Sequence, residues 1–165
     1  MSHLTKLLVF LILAFFPASA AALPKAAVFE FELIDSSLDG EILGTTEAEK
    51  SRLAQMAPRL RQLFTDLGIY EIADTASVAE QAKNSNLQAC GFCDSMMAKK
   101  VGADLAVTGT VQKVSNLILN INIYVRNAQD NKLVNVGSVD IRGNNDDSWF
   151  RGLRYLVKNR MYKQK

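Results

Sequence analysis

The chain has 165 residues, 48% of them hydrophobic, with 19 basic and 17 acidic side chains, a net charge of +2 and two cysteines. That length fits one domain, and there is no repeat, low-complexity segment or run of like charge that would read as a disordered tail. The basic residues are not interleaved with aromatics, which excludes the usual nucleic-acid surface.

The first twenty residues carry an address. Lys6 is followed by the unbroken apolar run Leu7 to Phe16, then Pro17 and the small-x-small triplet Ala18-Ser19-Ala20. These three regions predict a secretory signal peptide over residues 1–20, cleaved after Ala20, with Ala22 as a nearby alternative. The apolar run is about half the roughly 20 residues that a spanning helix requires. The predicted product is one exported, soluble domain over residues 21–165, with no transmembrane segment after cleavage and the periplasm as its place. Its charge is uneven: residues 21–82 hold 5 Lys/Arg and 11 Asp/Glu, and residues 83–165 hold 13 and 6. Such a division either polarises the surface towards a charged partner or lets the two halves face each other.

The mature chain opens with a predicted strand, Lys25 to Asp35, whose Ala27, Phe29, Phe31 and Leu33 share one apolar face. Asp35 to Thr45 reads as a polar loop. Thr46-x-x-Glu49 has the form of a capping box, and Leu53, Met56, Ala57, Leu60, Phe64 and Leu67 behind it form a helical stripe that Gly68 stops. Pro58 interrupts the stripe as a kink or as the start of a second helix, with the kink preferred. Arg52, Arg59 and Arg61 are placed on the outer face. A short strand from Ile69 to Thr75 leads to a helix from about Ala76 to Lys83. A further helix from Cys93 to Val101 turns Met96, Met97, Ala98 and Val101 inward.

Three strands follow. Asp104 to Lys113 presents Leu105, Val107 and Val111 on one face, and Leu117 to Val125 alternates cleanly. Leu133 to Ile141 falters near Gly137, where a bulge would bring Val134 and Val136 into line with Val139 and Ile141. The last helix carries Trp149, Phe150, Leu153, Leu156 and Val157, with acids at its start and bases at its end. The order β-α-β-α-α-β-β-β-α predicts an α/β (α+β) fold, a single mixed sheet of about five strands with helices packed on it.

With the signal removed no histidine remains, because the one histidine is His3. His-activated nucleophiles and His-ligated zinc or haem are thereby excluded from the mature chain. Neither a G-x-G-x-x-G motif nor a P-loop is present, and no cofactor or metal site is expected. Cys90-Gly91-Phe92-Cys93 admits three readings: a structural disulfide, a thiol-disulfide oxidoreductase site, or metal handling. Residues 84–89 do not form the strand that precedes a thioredoxin-type motif, and the prolines at 17, 24 and 58 all precede it. The structural disulfide is the reading adopted, in keeping with an oxidising compartment.

The passage Val101-Gly102-Ala103-Asp104-Leu105-Ala106-Val107-Thr108-Gly109-Thr110-Val111 is similar to the helix, G-A-D, strand, x-G-x-V passage of the TolB amino-terminal and CsgG-like periplasmic domains. Asn127 to Val134 loosely fits the turn that follows in that family. The chain also looks like a member of a group of small exported bacterial proteins of unknown function that share this domain alone. The resemblance implies a non-enzymatic periplasmic domain acting through an envelope protein partner, with no catalytic residues to transfer. Gly102, Asp104 and Gly109 would then be fold residues: Gly102 ending the helix at positive φ, Asp104 bonding the turn into the central strand, and Gly109 admitting a helix close to the sheet. The basic residues Arg151, Arg154 and Lys158 of the last helix are the expected docking surface. A small-ligand or metal carrier, binding at the C-terminal edge of the sheet, is a further alternative.

Overall fold

The structure, a computed structural model, describes residues 22–162; the predicted signal peptide lies outside them. In chain order the elements are β1 (Lys25–Val28), β2 (Glu32–Asp35), α1 (Leu38–Leu43), α2 (Glu47–Asp66), β3 (Glu71–Ile72), a 3₁₀ turn (Ala76–Val78) running into α3 (Ala79–Lys83), α4 (Cys93–Lys100), β4 (Leu105–Lys113), β5 (Ile118–Asn127), β6 (Leu133–Arg142), α5 (Asp146–Leu156) and a closing π-helical turn (Val157–Met161). They build one mixed sheet of six strands in the order β3-β1-β4-β5-β6, with β2 also on β4. β1 and β3 run parallel to their neighbours, and β4, β5 and β6 form an antiparallel meander.

The sixth strand arises because the predicted first strand breaks in two. Val28 pairs with Val107 and Glu32 with Thr110, so three residues, Phe29 to Phe31, stand opposite two of β4, the Phe29 amide still donating to the Val107 carbonyl. A slip of one residue exchanges the faces of everything beyond it. Ala27 and Phe29 therefore enter the small core under α3 and α4, whereas Phe31 and Leu33 join the main core on the opposite face. The four residues do not share a face as expected. The ring of Phe31, not a helix, fills the space above Gly109, where a Cβ would collide with it.

α2 and α5 cover the main face. α2 starts at the predicted capping box, with the Thr46 hydroxyl accepting from the Glu49 amide and the Glu49 carboxylate accepting from the Thr46 amide. It continues through Pro58 without dividing, and Met56, Ala57, Leu60 and Phe64 are fully buried. Arg52 departs from the expected outer face. It is 7% exposed, lies over the Trp149 ring and bonds Asp146 at 3.2 Å.

Gly137 stays in register opposite Ile123, and the irregularity falls at Val134 instead: Val125 pairs with Asn135 and Arg126 with Leu133. Val134 and Val136 consequently remain exposed. Gly137 makes room for α5 and the π-helical turn behind it, since a Cβ there would lie 2.8 Å from both Leu156 and Met161 side-chain atoms. On the other face, α4 begins after Phe92 in a left-handed conformation, φ 71°. From that start Cys93, Met97 and Ala98 turn inward, and Met96, expected inside, is 58% exposed.

Candidate functional site

The end of the molecule where β2 and β4 finish is organised by buried charge. Lys113, the last residue of β4, is 2% exposed, and Glu49 in the first turn of α2 is 1% exposed. The Lys113 ammonium lies 2.7 Å from Glu49 Oε1 and 3.0 Å from Asp35 Oδ2 at the end of β2. Every carboxylate oxygen has a further or sole partner. Glu49 Oε2 accepts from the Thr46 amide and hydroxyl, Glu49 Oε1 from the Asn144 amide side chain, and Asp35 Oδ1 from the Ser37 amide and hydroxyl. Burial alone would raise the Glu49 carboxyl, but the bonds from Lys113, Thr46 and Asn144 outweigh it and hold the group at about 2. Burial likewise opposes the charge on Lys113, yet its two carboxylates keep its pKa above the usual lysine value. Asp35 is held below its ordinary value against the same penalty, by Ser37 and Lys113. Every carboxylate oxygen is engaged and the ammonium is paired with both acids, so the cluster fixes geometry.

What it fixes is α1. Ser37, bonded to Asp35, caps this helix by accepting from the Gly40 amide at 3.0 Å. The Cβ that Gly40 lacks would collide with the Asp35 carboxylate, so the helix sits directly on the cluster. None of its six residues is buried. Leu38, Ile42 and Leu43 are 69%, 70% and 77% exposed, and Leu117 in the adjoining β4–β5 turn is 72% exposed. Asn116 of that turn donates to Asp39 at 2.7 Å and ties it to the helix. Val114 and Ile118 are exposed as well, and so are Asp39 and Glu41 of α1 and Glu47, which pairs with Lys50 at 2.8 Å. Helices of soluble proteins form chiefly by burying an apolar stripe, whereas this short one buries none of its residues and displays three aliphatics.

The residues singled out in the sequence lie elsewhere. Cys90 and Cys93 are joined in a disulfide, Cα atoms 5.5 Å apart, closing the turn into α4 through Gly91 and Phe92 at positive φ. Cys93 is buried in the small core. The segment before them is turn, with the Leu87 amide held by Glu32 at 2.7 Å. Arg151, Arg154 and Lys158 are all exposed, on the opposite side of the sheet from the cysteines; Arg151 pairs with Asp147 at 3.0 Å. Gly102 has φ 69° directly behind α4, and Asp104 accepts from the Lys25 amide at 2.9 Å, anchoring the start of β1. The Asp35–Lys113–Glu49 cluster and α1 were not foreseen. One signal was available: Lys113 stands at a core-facing position of a strand whose other such residues are Leu105, Val107 and Val111.

The profile of the family DUF3280, described as a protein of unknown function (DUF2380), matches residues 24–161. The chain belongs to this family. No curated protein matches it significantly. Among solved structures, the LpoB C-terminal domain from Salmonella enterica is similar to this DUF3280 chain with a TM-score of 0.50 at 14% identity, over 76% of this chain and 87% of that one. Lipoprotein GNA1162 from Neisseria meningitidis gives 0.48 at 17% identity, over 72% and 80%. TolB from Acinetobacter baumannii gives 0.48 at 10% identity, over 82% of this chain and 27% of its own. The likeness to the Salmonella domain is one of fold. Among the described residues no helix is long and apolar enough to cross a membrane.

Proposed function

We propose that this DUF3280 protein is a non-catalytic interaction module of the bacterial envelope, exported through residues 1–20 and docking a protein partner with its acidic aliphatic end. The observation that carries this reading is α1, which buries none of its residues and is nevertheless capped, braced by Asn116 and seated on a buried ion cluster. Ordering a segment costs conformational entropy, and here no burial within the chain offsets it. Contact with a partner would supply that burial. The saturated carboxylates support the non-catalytic part, as does a disulfide whose Cys93 lies in the core. The fold shared with the LpoB C-terminal domain is compatible with this role.

A photo-crosslinking residue placed at Ile42 or Leu117 in the living cell tests it. A discrete adduct from these positions, absent when the same residue replaces the exposed Thr65 on α2, is the expected result. Equal labelling from Thr65, or none from the aliphatic end, would overturn the reading.

A further inference from the structure

We infer that the partner of the acidic aliphatic end is a second copy of this chain, taken head to tail: α1 of one copy seats in a groove at the far end of the next. The inference rests on the docking reading above and names the occupant.

The sheet sets the two surfaces at opposite ends. α1 and the β4–β5 turn lie where β2 and β4 finish. The other end gathers the beginning of β1 and the π-helical turn Val157–Met161, since Pro24 accepts from the Glu71 amide and Met161 accepts from the Asn135 side chain. Between these segments runs a groove of about 640 Å³ lined by Leu23, Ile69, Val134, Met161, Tyr162 and Arg160. Its lining is part apolar and part polar, with Asn135 beside Arg160 and Tyr162, and the last helical turn beside it carries the exposed bases Lys158 and Arg160 with no acid. The protruding surface is a short helix of three aliphatics that also carries the exposed acids Asp39 and Glu41. Convex and acidic thus answers concave and basic.

Complementary potentials steer encounter and suppress like-with-like pairing, so two acidic ends do not meet each other. The acidic helix also disfavours an anionic membrane surface, which attracts basic segments. Two different patches at opposite ends make a heterologous contact, which grows into rings or filaments instead of stopping at a symmetric pair.

The test is sedimentation velocity of the purified exported chain with two variants, Ile42→Asp at the helix and Arg160→Glu/Tyr162→Ser in the groove. Wild type should form species larger than a monomer that weaken as salt is raised. Each variant alone should lose at least about tenfold in self-association, as removal of a central contact does, with its melting temperature unchanged. An equimolar mixture of the two should form dimers and nothing larger, because one intact helix meets one intact groove. Groove variants that still self-associate alone, or a mixture that remains monomeric, would overturn the head-to-tail arrangement. A monomeric wild type that still crosslinks through Ile42 to another protein would overturn self-recognition and leave the docking surface standing. A monomeric wild type without such a crosslink would remove both.

Discussion

The Lys113 ammonium approaches Glu49 Oε1 to 2.7 Å in a place where neither side chain reaches water. Taking such a pair out of solvent is costly, and the pair persists because Asp35 adds a second counter-charge and Thr46, Asn144 and Ser37 bond the carboxylate oxygens. The arrangement is worth more as a fixture than as a source of stability. It joins the ends of β2 and β4 to the start of α2 and to the cap of α1.

Removing the cation alone exposes that dependence. Lys113→Met leaves two buried carboxylates without their counter-charge and should cost about 3–5 kcal/mol, the range for breaking a buried pair from one side. Adding Glu49→Gln and Asp35→Asn to the same chain should recover more than half of that loss. Urea unfolding of the single and triple variants is the measurement; equal stabilities would show that the charges do not act as a unit.

The cluster also sets a pH dependence. Glu49 is lowered from 4.5 to about 2, and Asp35 is lowered as well. Groups with depressed folded pKa values contribute stability that is complete above their unfolded values and is lost as pH falls through the folded ones. Stability should therefore decline between pH 4.5 and about 2. Lys113, whose pKa is raised, contributes in the opposite sense: its share is present below 10.5 and disappears only as pH rises through its higher folded value. Thermal melts across the acid range should show the decline in wild type and a shallower slope in Lys113→Met, where only Thr46, Asn144 and Ser37 still hold the carboxylates down. An unchanged slope in that variant would detach the acid sensitivity from this cluster.

The sheet and its helices were legible because their apolar periods are strong: the stripe from Leu53 to Leu67, the alternation from Leu117 to Val125, and the capping box at Thr46 and Glu49 each mark one element. The bulge at Phe29 to Phe31 was not legible. Either face assignment leaves Phe29 and Phe31 buried, and only the partner strand reveals the slip. α1 was concealed by Gly40 and Gly44 among Ser36, Ser37 and Asp39, a composition that reads as loop. Ser37 and Gly40 in fact serve the helix, one as its cap and the other as the space for Asp35. The ion cluster joins residues 35, 49 and 113, and no local spacing announces a contact of that separation.

The disulfide invites a prediction that separates staple from catalyst. Cys90 and Cys93 close a loop of sequence separation three, so the entropic stabilisation is small. Its local effect is to hold Gly91 and Phe92 in the left-handed turn from which α4 starts. Cys90→Ser/Cys93→Ser should fold with a lower melting temperature and with increased amide exchange confined to the beginning of α4. The wild type should not reduce a model disulfide with added dithiol at a rate above the uncatalysed one. Turnover together with a readily reversible reduction potential would make the pair a redox site.

The aliphatic end should separate stability from contact more sharply than any other part of the molecule. Leu38, Ile42 and Leu117 make no buried contribution to the fold. Leu38→Ser, Ile42→Ser and Leu117→Ser should therefore each shift stability by no more than about 0.5 kcal/mol, as exposed substitutions do. Phe64→Ala, which empties a fully buried position beneath the sheet, should cost about 3–5 kcal/mol. If the end is a docking surface, the three serine variants lose their partner although their folds are intact, and Phe64→Ala loses it only in proportion to its unfolded fraction. Denaturant unfolding alongside crosslinking yield from a probe at Leu43 makes the comparison. Serine variants that unfold readily would mean the aliphatics serve folding after all, and serine variants that keep full crosslinking yield would mean they serve no partner.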